Sequence, residues 1–258
     1  MLNIFRRESQ QVEFHVENAI NFVREQLSVK VAQIFEYRIS YGVFKGMNIV
    51  PEFTWNKADV GAMILGLYEK EVIQVLEKNP GSTLINLGAG DGYYAIGGVV
   101  SGLFQNSIAF EMNPNSRKVI REGLKLNSAT NKVRILGEAH KDFWKSLQLP
   151  PEMLHGCLVL SDIEGGEFEI FDRPAFEYFK SSIIIIEIHD WVAEGSEKLK
   201  DLVFSSEKTH RAEEIRTTGR DLSAIPEVAT FSDSDRWLLC SEGRPILMRW
   251  LVFYPLES

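Results

Sequence analysis

The stretch INLGAGDGYYAIGG, Ile85 to Gly98, runs an apolar strand into three glycines spaced two apart, Gly88, Gly90 and Gly92. Glycine at the end of a buried strand lets the chain turn sharply and lets backbone N–H groups approach a ligand, while the following helix N-terminus adds positive potential. Such a turn can also serve only to close a strand–helix junction, so its surroundings decide. Glu111 closes the next strand-like run, SIAFEM, about 20 residues on, where a carboxylate can accept hydrogen bonds from both hydroxyls of a ribose. The alternative for Glu111 is a surface carboxylate. The spacing lacks the third glycine of the dinucleotide fingerprint GxGxxG and favours an adenosyl ligand without a pyrophosphate.

Outward from this turn, strand-like and helical runs alternate. STLINLG, SIAFEM, KVRILGEA, GCLVLSDI and SSIIIIEIH are separated by DGYYAIGGVVSGLF, NPNSRKVIREGLKLN, HKDFWKSLQL and GGEFEIFDRPAFEYFK. Such alternation predicts βαβ crossovers and a parallel sheet covered on both faces, with ligands beyond the carboxyl ends of its strands. MRWLVFYP reads as a last strand and SDSDRWLLCSEGR as a capped helix, with another strand as the alternative. Upstream, VENAINFVREQLSVKVAQIFEYRI has helical spacing and leads into YGVFKGMNIVPEFTW, and ADVGAMILGLYEKEVIQVLEKN reads as one amphipathic helix stopped by Pro80-Gly81. These segments predict a helical appendage over residues 1–60 and a second unit over 61–258. Phe14, Phe22, Phe35, Tyr37, Phe44, Phe53 and Trp55 give the appendage aromatic surface for shaping a pocket or forming a homodimer contact.

With 258 residues, 45% hydrophobic and 25% charged, the chain can bury a sizeable core. A net charge of −8 without a Lys/Arg-dense stretch argues against nucleic acid as partner. Cys157 and Cys240 lack disulfide or zinc spacing. The longest aliphatic run, Ile183–Ile186, falls far short of the roughly 18 residues of a membrane span. With no apolar leader, the expected location is the cytoplasm.

INLGAGDGYYA, LVLSDIEGGEFEIF and IIIIEIHD together resemble the class I S-adenosylmethionine-dependent methyltransferases, and more narrowly the FkbM-like O-methyltransferases. The second stretch is the most specific of the three. The resemblance covers about residues 67–189, and SEGRPILMRWLVFYP more loosely. It implies a Rossmann-like α/β fold with a seven-strand, mostly parallel sheet and an antiparallel last strand. It further implies that Gly88, Gly90 and Gly92, with Ala89 between them, surround the methionine part of the cofactor. Glu111, followed by Met112, would hold the ribose, and Glu138 and Ala139 would lie beside the adenine. Tyr93 and Tyr94 read as packing residues, with Tyr93 at the edge of the cofactor as the alternative. The family usually has an acidic residue where this chain has Asn86, which makes Asp162 or Glu69 the expected counter-charge to the cofactor's ammonium. Glu69 falls where such proteins place a helix over the cofactor.

Methyl transfer from a sulfonium chiefly requires alignment, with a base where the acceptor is an alcohol. The period of two in IEIHD places Glu187 and His189 on one side, and the family topology sets this strand beside the one ending at Asp162. Asp162, Glu164, Glu187 and His189 are therefore the candidate catalytic residues, with His189 the expected base and Glu187 and Asp190 near enough in sequence to orient it. Against this, Glu187 and His189 can simply satisfy loop backbone groups, and Glu164 and Glu167 can simply favour the positive end of a helix. The cluster suits a divalent cation, yet its donors are few and no metal motif is present, so no metal is assigned and a cation stays the alternative. His15, His140, His155 and His210 read as structural or solvent-facing.

The expected activity is O-methylation of a hydroxyl on a sugar, glycan or related natural product. The alternatives are a nucleotide-binding oxidoreductase on a related doubly wound sheet and a degenerate module that only binds a partner.

Overall fold

The computed structural model describes residues 2–54, 57–150, 154–244 and 246–256, with side chains from residue 14 onward; Trp55 lies outside the described residues. Seven strands form one sheet: β1 (Gly81–Leu87), β2 (Phe104–Phe110), β3 (Val133–Leu136), β4 (Cys157–Ser161), β5 (Ile183–Glu187), β6 (His210–Arg216) and β7 (Arg249–Pro255). Their order across the sheet is β3-β2-β1-β4-β5-β7-β6. Strands β1 to β5 pair in parallel, and β7 runs antiparallel to both β5 and β6. This is the mostly parallel α/β sheet with an antiparallel last strand that the resemblance implies.

The central strands β1, β4 and β5 are largely apolar because both faces of the sheet are covered there, and their period of two sorts residues between two cores. Leu84, Leu158 and Ile185 pack on one face with α4 (Tyr93–Val100) and α3 (Lys70–Lys78). Ile85, Val159, Ile184 and Ile186 pack on the other, with Phe171, Phe176, Phe179 and Leu202. Those partners belong to, or adjoin, the short helices α6 (Glu167–Ile170) and α7 (Arg173–Tyr178) and the longer α8 (Gly195–Ser206). GGEFEIFDRPAFEYFK makes two helices instead of one because Asp172 caps a new start, accepting the Ala175 N–H at 3.1 Å with Pro174 in the first turn. α5 (Pro114–Leu126) begins likewise at Asn113, which accepts the Asn115 N–H at 2.9 Å.

Strand β6, HRAEEIR, is absent from the sequence expectation because an edge strand half open to water carries no apolar run. The helix expected over 58–79 is broken into α2 (Val60–Ile64) and α3. Gly66 turns the chain with φ +66, and a Cβ there would meet the Tyr41 carbonyl oxygen at 2.6 Å, so the crossing segment at Tyr41 prevents a continuous helix. SDSDRWLLCSEGR supplies the expected helix, α9 (Asp233–Cys240).

The N-terminal helix α1 (Leu2–Ile34) lays Leu27 and Val31 against Val60 and Ile64 of α2 and Leu239 of α9. A buried ion pair, Arg24 to Asp59 at 2.5 Å, and bonds from Arg24 to the Ser241 carbonyl fix the junction. Upstream of Arg24 the helix exposes Phe14, Val16, Ile20 and Phe22. Residues 35–54 then cross to the sheet, where Asn127 accepts the Asn48 N–H at 2.7 Å and Asp91 accepts the Thr54 N–H at 2.9 Å. The start of the chain is thereby tied to the glycine turn.

Candidate functional site

At the end of β1 the chain enters Gly88 at φ +76, and a Cβ there would collide with the carbonyl oxygen of Asp162 at the exit of the neighbouring β4. The N–H groups of Gly88 and Ala89 both reach the Phe110 carbonyl, at 3.0 and 2.9 Å. Gly92, φ +94, then caps α4. Glu111, just past β2, uses both carboxylate oxygens on this turn: Oε2 accepts the Gly90 N–H at 2.8 Å and Oε1 accepts the Asn113 N–H at 2.7 Å. Arg117 donates to its carbonyl at 2.7 Å. The glycine turn and Glu111 are therefore one hydrogen-bonded unit.

The turn opens on a cavity of about 360 Å³. Glu69, Asn86, Gly88, Ala89, Gly90, Tyr93, Glu111, Met112, Glu138, Ala139, Asp162 and Glu164 all line it. Gly92, Glu187 and His189 lie outside that lining. Met47, Asn48, Ile49, Val50 and Phe53 close the wall from the N-terminal segment, and Tyr68 and Trp250 add aromatic surface. His140, expected to be structural or solvent-facing, also lines the cavity with Lys141. The Oδ1 atoms of Asn86 and Asp162 are buried and make no hydrogen bond.

Behind the lining, Arg244 bridges two acidic side chains far apart in sequence. One guanidinium nitrogen pairs with Glu187 Oε1, another with Glu69 Oε1, and Nε reaches Glu242 at 3.1 Å. The Tyr94 hydroxyl donates to the other Glu69 oxygen at 2.5 Å. Burial raises the Glu69 pKa against the opposing pull of Arg244. Burial, then the charges of Asp162 and Glu69, push Glu187 far above the carboxylate range.

His189 is 3% exposed and sits over Glu167, itself 1% exposed. Glu167 Oε1 lies 3.0 Å from ring Nδ1 and accepts the His189 backbone N–H at 3.1 Å, while Oε2 accepts the Gly165 N–H at 2.9 Å. Ring Nε2 faces Asp162 Oδ1 at 3.7 Å and Glu164 Oε2 at 3.5 Å. Burial lowers the His189 pKa, but the Glu167 bond and the three surrounding carboxylates outweigh it and raise the value overall. The group expected to orient His189 is thus corrected: Glu187 is taken by Arg244 and Asp190 by Arg249, and Glu167 holds the ring. Glu167 was legible only as a helix-end carboxylate, and Arg244 gave no signal because its partners lie 57 and 175 residues away.

No family model matches this chain, and no curated protein does. It is similar in structure to an O-methyltransferase from Bacillus cereus in complex with SAH, at 10% identity and TM-score 0.46, covering 90% of each chain. A precorrin-6y C5,15-methyltransferase from Geobacter metallireducens matches at 14% identity and TM-score 0.44, covering 82% of this chain and 94% of that one. The tRNA methyltransferase TrmK of B. subtilis matches at 9% identity and TM-score 0.47, over 72% of this chain and 65% of TrmK. Among the described residues no helix is long and apolar enough to cross a membrane.

Proposed function

We propose that the chain is an S-adenosylmethionine-dependent O-methyltransferase of the FkbM-like kind, acting on a hydroxyl of a sugar, glycan or related natural product. The observation that carries this is the Glu111 carboxylate, hydrogen-bonded to Gly90 and Asn113 at the mouth of a glycine turn that opens on the cavity. The residues present suit that cofactor. A carboxylate has about four acceptor sites, so Glu111 can serve two N–H groups and still accept from ribose hydroxyls. The unbonded Asn86 Oδ1 is a free acceptor for an ammonium, and Asp162 beside it supplies the countercharge that Asn86 lacks. Glu138 and Ala139 form the far wall for the adenine.

When bound, S-adenosylmethionine supplies a methyl group whose bond to sulfur breaks as its bond to the acceptor oxygen forms, the hydroxyl proton being lost. In the metal-free protein the proton acceptor is His189 Nε2: the bond of Nδ1 to Glu167 keeps a proton on that nitrogen and leaves the lone pair on the side of Asp162 and Glu164. Asp162 is the second choice for this role. The segment over residues 1–60 acts as an appendage that shapes the acceptor side, Met47, Asn48 and Phe53 forming its wall. Tyr68, Tyr93 and Trp250 add aromatic character to the cavity lining.

Calorimetry tests the reading first: S-adenosylmethionine or its demethylated product should bind, and nicotinamide dinucleotides should not. A methyl-transfer assay on nucleotide sugars and oligosaccharides then identifies the acceptor. Binding of a nicotinamide in place of S-adenosylmethionine would move the chain to the oxidoreductases.

A further inference from the structure

The sequence reading assigns no metal, because Asp162, Glu164 and His189 match no metal motif by spacing. Folding brings one donor atom from each to within 4.8 Å of the others. We propose that these three side chains form a binding site for a first-row divalent transition-metal ion on the acceptor side of the cavity.

Two observations beyond proximity support the site. First, His189 is buried to 3% exposure, its Nδ1 lies against the Glu167 carboxylate, and its Nε2 faces Glu164 Oε2 at 3.5 Å and Asp162 Oδ1 at 3.7 Å. That is the carboxylate–histidine arrangement that fixes the tautomer and orientation of a metal-binding imidazole. Second, Asp162 Oδ1, the carboxylate atom facing that nitrogen, is buried and without a hydrogen bond. Two carboxylates and an imidazole nitrogen that face one another need a cation or a proton at the centre.

Donors at about 2.0–2.2 Å from a tetrahedral centre stand ~3.3–3.6 Å apart; Nε2 to Glu164, at 3.5 Å, falls inside that range, and Nε2 to Asp162, at 3.7 Å, just beyond it. The imidazole favours zinc, iron or nickel over magnesium or calcium, which prefer oxygen alone, while manganese, which takes carboxylates, serves as a spectroscopic probe. Asp162 and Glu164 line the cavity, which leaves the remaining coordination positions open to it. The second carboxylate group there, Glu69, Asp162 and Glu187, already holds a cation in Arg244.

The site's use in catalysis rests on the reading above. An oxygen bound to such an ion loses its proton more readily, here to bulk water past the exposed Glu164, and the His189 lone pair then serves the ion instead of the proton.

The test uses the full chain stripped with chelator and manganese chloride as probe, followed by electron paramagnetic resonance and by calorimetry with zinc competition. One ion per chain is expected. Glu164→Ala, at an exposed position, and His189→Ala should each weaken binding at least tenfold. Glu167→Gln should weaken it about 10–100-fold without removing a ligand. Binding of the demethylated cofactor to the metal-free protein is measured in parallel. If it binds but manganese does not, or if manganese affinity stays within twofold in both Glu164→Ala and His189→Ala, the metal site is overturned and the cofactor reading stands. If manganese binds as expected and the demethylated cofactor does not, the metal site stands and the methyltransferase reading falls.

Discussion

Glu167 holds His189 twice through the same oxygen, accepting its backbone N–H at 3.1 Å and lying 3.0 Å from its ring Nδ1. The link joins the start of α6 to the exit of β5, so the loop after β4 and the loop after β5 are set relative to each other by one buried side chain. Asp162 and Glu164 then lie within reach of the far side of the ring.

From that link follows a pH dependence of stability. The folded-state pKa of His189 is raised above its ordinary value, chiefly by the Glu167 bond working against burial. Its stabilising contribution is therefore fully present below about 6.5 and is lost as the pH rises through the folded value. Urea denaturation across this range should show wild type losing stability relative to His189→Asn as pH increases. A difference that stays flat with pH would show that the ring is not charged in the fold. Glu167→Gln should cost about 1–3 kcal/mol near pH 6 and flatten the same difference.

Glu111→Ala removes the acceptor of two backbone N–H groups and of the proposed ribose contact. Loss of charge-assisted bonds should weaken S-adenosylmethionine by roughly 1.5–3 kcal/mol, read by calorimetry on protein that still melts cooperatively. Unchanged affinity in such a variant would detach the cofactor from this turn.

Gly88→Ala should be far more damaging than Gly102→Ala. Both glycines have positive φ, which costs an alanine about 1–2 kcal/mol. Only at Gly88 does the added Cβ also strike a neighbouring strand, at the Asp162 carbonyl, whereas nothing lies within 4 Å of one at Gly102. Comparison of the two by thermal unfolding isolates the collision from the conformational cost.

Arg244→Ala leaves Glu69 and Glu187 buried against each other without their shared cation. Breaking such a network costs about 3–5 kcal/mol, and denaturant midpoints should fall accordingly. Arg244→Lys should recover only part of the loss, because a single ammonium cannot span two carboxylates in the way a guanidinium fork does. Additional replacement of Glu69 by Gln should relieve the variant, since it removes one of the stranded charges.

The sequence by itself determined the sheet and the turn. A period of two in apolar strands, glycine where a side chain would strike the next strand, and an acidic residue closing the following strand are local patterns, and local burial and local sterics produce them. The separation of Leu84 and Ile85 onto opposite cores follows from those patterns. Tertiary structure alone decided where the helix over 58–79 breaks, since the obstacle is the backbone of Tyr41 crossing Gly66. It also decided which partner each buried charge takes. Glu69, Glu187 and Glu242 meet on Arg244, and His189 turns to Glu167 instead of its sequence neighbours Glu187 and Asp190. Buried charges pair wherever the fold places the nearest opposite group, because an unpaired charge out of water is too costly to keep. That pairing has no period along the chain, so it becomes visible only once the loops at the carboxyl edge of the sheet are in place.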